Sequence, residues 1–131
     1  MMNLEDIIYR TPGGNTAFKL PDAITLGGLI EQCKLIRKTG YIDVTQADIS
    51  SLKRQFSEYQ IVVLTNVENL SNRHGLIYCL SSLLDFEEPY VLCVVSELKK
   101  FNNIQYDRSG ALYLRWFWLE DFGRFLPHIK D

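Results

Sequence analysis

Little in this sequence is supplied in quantity for chemistry. There are two histidines, His74 and His128, and three cysteines, Cys33, Cys79 and Cys93, in 131 residues. Neither histidine has a cysteine or second histidine at the spacing a zinc site uses, such as His-x-x-x-His or Cys-x-x-Cys, so no metal site is expected. An odd number of widely spaced cysteines excludes a disulfide framework and fits a reducing compartment. Cys93 falls within an apolar run and Cys33 and Cys79 fall on helical patterns, so all three read as small packing residues with inert thiols.

Net charge is equally scarce. Fourteen basic and sixteen acidic side chains leave a balance of -2, which provides no overall field to attract nucleic acid or an anionic membrane. The basic pairs Arg37-Lys38, Lys53-Arg54 and Lys99-Lys100 are scattered and read as solvated helix ends. An adaptor role on nucleic acid through Arg37, Lys38, Lys53 and Arg54 would require binding that falls steeply with salt. No apolar run approaches the roughly 18 residues of a membrane span, and MMNLEDIIYR carries acids where a signal peptide needs bases. The expected location is cytoplasmic, with no membrane partner.

What is present is the ordinary material of a folded domain. Hydrophobic residues make up 47% and charged residues 23%, a balance that fits one globular core and neither disorder nor a fibrous repeat. A chain of this length fits a single domain spanning 1–131.

Thr25 or Asp22 can cap a helix whose Leu26, Leu29, Ile30, Cys33 and Ile36 share one face, with Gly40 as its stop. Tyr41 to Val44 alternates as a short strand. Thr45 with Asp48 three residues on resembles a capping box for a helix carrying Ile49, Leu52, Phe56 and Tyr59 on one face.

IVVLTNV, residues 61 to 67, and YVLCVV, residues 90 to 95, lack polar alternation and are rich in β-branched residues, as strands covered on both faces are. Between them, Ser71 to Phe86 places Leu76, Ile77, Leu80, Leu83 and Leu84 on one helical stripe. Buried strands alternating with amphipathic helices predict an α/β domain of three layers, a mostly parallel sheet with helices on both faces. Asp107-Arg108-Ser109-Gly110 is a turn signal between Ile104–Tyr106 and 111–119, so a C-terminal hairpin is expected to finish the sheet.

Ligands of open parallel sheets gather beyond the carboxyl ends of the strands. Asp43 and Thr45, then Thr65, Asn66 and Glu68, then Ser96 and Glu97 stand there. Asn66, Glu68, Ser96 and Glu97 are the candidate ligand-binding residues. The bland alternative is that they cap helices and satisfy loop backbones. Glu87-Glu88 and Glu120-Asp121 are adjacent acids that read as helix-end charge, and no catalytic residue is assigned.

TPGGNTAF, residues 11 to 18, precedes the first long helix, and a glycine turn at a helix N-terminus can cradle phosphate. In its order of elements the chain resembles the core of AAA-type P-loop ATPases. Pro12-Gly13-Gly14-Asn15-Thr16 lies where that family has its phosphate loop, Leu64-Thr65-Asn66 at the magnesium-holding strand end, and Ser96 at the polar sensor. The departures are that Asn15 replaces the phosphate-meeting lysine, the loop is one residue short, Pro21 interrupts the next helix, and no acid ends the 61–67 strand. The resemblance implies a degenerate nucleotide pocket without hydrolysis. A phosphorylated receiver domain would need an aspartate where Asn66 stands.

The stretch ALYLRWFWL, residues 111 to 119, is the densest aromatic cluster. With the period of a strand, Leu112, Leu114, Trp116 and Trp118 share a core face, and Tyr113, Arg115 and Phe117 share the other. Tryptophan, tyrosine and arginine dominate interface hot spots, so Tyr113, Arg115 and Phe117 are the candidate partner-binding residues. Two functional readings follow. One is a non-enzymatic module that binds another protein, of the bacterial toxin-neutralising immunity or antitoxin type. The other is a small-molecule or nucleotide binder with the degenerate ATPase-like core. Neither requires a resident cofactor.

Overall fold

A computed structural model describes residues 15–20, 25–70, 74–84, 89–97, 99–101 and 118–119. Five parallel strands form one sheet: β1 (Asn15–Phe18), β2 (Thr39–Asp43), β3 (Ile61–Thr65), β4 (Tyr90–Val94) and the two-residue β5 (Trp118–Leu119), in the order β2-β3-β4-β1-β5. Among the described residues three helices with defined bounds lie between them, α1 (Leu26–Lys34), α2 (Ile49–Glu58) and α3 (His74–Leu83), and residues 99–101 are helical as well. The protein is an α/β fold.

Alternation along β3 and β4 sorts the core into two sets. Ile61 and Val63 with Tyr90, Leu92 and Val94 pack against Leu29 and Cys33 of α1. Val62 and Leu64 with Val91 and Cys93 pack against Leu52 and Phe56 of α2 and Leu76, Ile77 and Leu80 of α3. Strands flanked by helices on both faces must be apolar at every position, and β3 is buried from Ile61 to Leu64 for that reason.

The caps set where the helices begin. Thr25 Oγ1 accepts the Gly28 N–H at 3.0 Å and starts α1. For α2 the cap is Asp48 rather than Thr45: its carboxylate accepts the Ser51 N–H at 2.7 Å, and Ser51 Oγ accepts the Asp48 N–H at 3.1 Å. Thr45 lies in a 3₁₀ turn, Val44–Gln46, where it bonds Asp43. The reciprocal box therefore sits three residues further on, with serine in the place usual for glutamate.

Two other expectations are corrected. Gly40 does not stop α1, which ends at Lys34; it is buried inside β2. Tyr59 is the extended residue that ends α2 rather than part of the helix, and its partly buried ring packs against the same core as Leu52 and Phe56 and over Gly40. Ile49, expected on the same face, is 44% exposed.

Asn15 and Thr16, expected in a phosphate loop, are part of β1, whose residues pair with Val91 to Val94. The chain that runs from β1 towards α1 begins at Lys19. Within 111–119, Trp118 and Leu119 pair in parallel with Thr16 and Ala17. The first arm and turn of the expected hairpin, with Tyr113, Arg115 and Phe117, lie outside the described residues.

Candidate functional site

All five strands run the same way, so their carboxyl ends share one edge of the sheet. There the chain leaves β1 through Lys19 and Leu20, β3 through Asn66, and β4 through Val95 and Ser96. These residues, with Leu26 at the start of α1 and Tyr41, Thr65 and Val94 from the strands, line a cleft of about 410 Å3. That volume lies within the ordinary range of small-molecule sites, roughly 300–1,000 Å3. β1 lies beside β4, yet its connection leads away to β2 while the β4 connection leads to β5. Diverging connections of this kind leave a crevice at the strand ends of open α/β sheets.

The cleft is lined by both hydroxyl-bearing and aliphatic residues. Tyr41 pairs with Val63 in the β2–β3 register, so Thr65, two positions further along β3, is its diagonal neighbour on the same face, and the two hydroxyl oxygens are 2.7 Å apart. Tyr41 is 41% exposed because its strand neighbours Gly40 and Ile42 turn the other way into the protein. Apolar surface comes from the partly buried Leu20 and Leu26, while Val94, the register neighbour of Thr65, and Val95 are buried at its floor.

Asn66 is the one non-glycine described residue with positive φ, at φ 66° and ψ 21°. Asparagine tolerates this left-handed backbone better than most residues. Its Oδ1 accepts from Asn69 Nδ2 at 2.9 Å, bracing the 3₁₀ turn Val67–Asn69 that follows. The turn carries Val67 and Glu68 inward, and Glu68 ends 2% exposed. Its Oε2 accepts the backbone N–H groups of Ser96 at 2.7 Å and Glu97 at 3.2 Å. The buried carboxylate thus holds the chain leaving β4, a wall of the cleft, in place.

The four sequence-nominated residues divide accordingly. Asn66 and Ser96 line the cleft, Glu68 supports Ser96 from inside the protein, and Glu97 is exposed and pairs with Lys100 at 3.5 Å. Lys100 also donates to Asn69 Oδ1 at 2.7 Å. Asp43 is engaged as well: its carboxylate accepts from the Thr45 hydroxyl at 2.6 Å and the Thr45 N–H at 3.0 Å. The Thr45 hydroxyl, with smaller help from Asn66 and the Thr45 N–H, holds this carboxyl below its ordinary pKa against the opposing effect of burial.

Thiol chemistry is not favoured at this edge. Burial pushes the Cys93 thiol well up, and the nearby Glu68 charge pushes it further. Among the described residues no group of three His, Cys, Asp or Glu side chains could hold a metal ion, and no helix is long and apolar enough to cross a membrane.

Lys19, Leu20, Leu26 and Tyr41 were not nominated as site residues from sequence. The signal for Tyr41 was its place one residue out of phase with buried Ile42, which sets a hydroxyl at the strand end. No protein family, curated protein or solved structure matches this chain.

Proposed function

We propose that this chain is a small-molecule-binding domain whose ligand sits in the cleft at the carboxyl ends of β1, β3 and β4. The supporting observation is the cleft itself: a ligand-sized recess at a topological switch point, lined by hydroxyls and by aliphatic side chains. Binding rather than metal-assisted hydrolysis is the reading preferred. The Asp43 and Glu68 carboxylates are engaged by the chain's own donors, and no described acid lines the cleft. A nucleotide is one candidate within this reading, through the resemblance in element order to the AAA-type core.

Thermal denaturation against a metabolite and nucleotide panel tests the proposal. A ligand at about 100 times its dissociation constant stabilises the fold by roughly 2.7 kcal/mol. Tyr41→Ala, which removes the hydroxyl paired with Thr65, should abolish that gain. A panel that leaves the transition unmoved, or a shift indifferent to Tyr41→Ala, would defeat the assignment to this cleft.

A second reading is a module that binds another protein, of the immunity or antitoxin type. It is favoured by Tyr78 of α3, 56% exposed, and Ile49 of α2, 44% exposed. Ile49 Cδ1 comes close to Gly75, which lies one helical turn before Tyr78. Tyr113, Arg115 and Phe117, the partner-binding candidates of the sequence, belong to this reading. Copurification of a stoichiometric protein that is lost in both Tyr78→Ala and Arg115→Ala, with the fold intact, is the outcome this reading requires.

A further inference from the structure

The charge and donor pattern of the cleft narrows its ligand class. Of the nine lining residues Lys19 alone is charged, and it is exposed at the end of β1. Tyr41 and Thr65 share one hydrogen bond. Two hydroxyls so joined have two protons between them, one used internally and the other available outward. Ser96 brings a third hydroxyl, while its backbone N–H is already taken by Glu68. The polar lining is therefore rich in donors and carries positive charge, and no described carboxylate lines the cleft to receive a cation. In the same lining, the partly buried Leu20 and Leu26 suit an apolar body.

We propose that the cleft binds a small carboxylate or phosphate monoester with an apolar body. The anionic oxygens meet Lys19 and the free hydroxyl proton of the Tyr41–Thr65 pair, and the body lies against Leu20 and Leu26. This rests on the reading of the cleft as a ligand site. An anion gains from Lys19 while losing little solvation at an open rim; a cation would face Lys19 with no carboxylate to offset the repulsion. Lys19 and Tyr41 set the charge preference, and Ser96 is held at the wall by the Glu68 carboxylate beneath it.

The test uses the full chain, followed by amide chemical shifts and isothermal titration. Benzoate and phenyl phosphate provide the two anion arms, benzamide and benzyl alcohol their neutral counterparts, and benzylamine the cation. At least one anion is expected to move the Thr65, Asn66 and Ser96 amides and to bind about tenfold more tightly than its neutral counterpart. Lys19→Gln should remove that tenfold preference, whereas Lys19→Arg should keep it. The stronger anion arm identifies the carboxylate or phosphate form. If neutral compounds move the same amides with equal affinity, the anion assignment is overturned; if the anion preference survives Lys19→Gln, its attribution to Lys19 is overturned; in both cases the cleft remains a ligand site. If no compound moves those amides, both fall.

Discussion

The ring of Tyr59 fills the space that a side chain on Gly40 would occupy. A Cβ built on Gly40 would lie 2.6 Å from Cε2 and 2.8 Å from Cγ of that ring, distances real Cβ atoms do not tolerate. Lys38 Nζ stands 5.4 Å from the centre of the same ring. Glycine in mid-strand normally weakens a sheet, and here it lets the end of α2 close over β2. Gly40→Ala should therefore cost about 1–3 kcal/mol in urea unfolding, in the manner of other overpacked sites. In a Tyr59→Ala background the same replacement should cost much less. Equal costs in the two backgrounds would show that the ring is not the obstacle.

Glu68 makes a second replacement informative. Truncation to alanine leaves the Ser96 and Glu97 N–H groups without their buried acceptor, a loss worth about 1–3 kcal/mol. Glu68→Gln retains a neutral oxygen that can still accept, and should lose less. Denaturant unfolding with the Ser96 and Glu97 amide shifts as a local readout checks both; wild-type stability in Glu68→Ala would remove the carboxylate from the account.

Acid should unfold the chain in part through two aspartates. The Ser51 N–H and hydroxyl hold Asp48 below its ordinary 3.8, and the Thr45 hydroxyl does most of the same for Asp43. A carboxyl depressed by folding contributes its full stabilisation above the unfolded pKa and loses it as pH falls through the folded one. The loss should therefore begin near pH 4 and deepen below it. Asp48→Asn keeps a capping oxygen without a titrating group. Its midpoint at pH 7 should stay close to wild type, and its acid limb should be shallower.

Thiol accessibility gives an independent check on the core. Burial raises the Cys33 thiol to about 12 and Cys93 well above the ordinary value of 9.0. Cys79, only partly buried, is also raised by desolvation, with Lys53 acting in the opposite direction. An aromatic disulfide reagent at pH 8 should slowly label one thiol in the native protein and three after denaturation, with Cys79→Ser abolishing the native reaction. A second native equivalent would contradict the burial of Cys33 or Cys93.

Elements with a strong period were legible in the sequence. β3 and β4 could be read from unbroken apolar runs, because a strand covered on both faces has no polar positions. The stripes of α1 and α3 followed from helical spacing. What escaped was local chemistry dependent on a distant neighbour. Gly40 looked like a helix stop because nothing in the sequence announces the ring of Tyr59. Thr45 looked like a cap because Asp48 offers the same oxygen three residues later, and only the Ser51 reciprocity separates them. β1 was hidden: four residues, Asn15 to Phe18, following a glycine pair are too short to show a period. At the site, strand-end polarity pointed to Asn66 and Ser96, but it did not reveal that Glu68 turns inward or that Lys19 and Tyr41 complete the cleft. Those facts depend on which strands become neighbours.

The strand order also bears on the sequence of events in folding. β2, β3 and β4 follow one another in chain and in space, so each can add to the last through one helical crossover. β1 is made before them and finds its partners only in β4 and β5. Contacts between distant parts of the chain bear the larger loop-closure cost and form late. Pulsed hydrogen exchange during refolding should accordingly protect β3 amides before those of β1; simultaneous protection would indicate a single concerted step. The cleft takes Lys19 and Leu20 from the chain just beyond β1. A ribosome-bound or partly refolded chain with β2 to β4 already assembled would thus still lack one side of the cleft, and, on the proposed reading of that cleft, ligand capture would report that the first strand has docked.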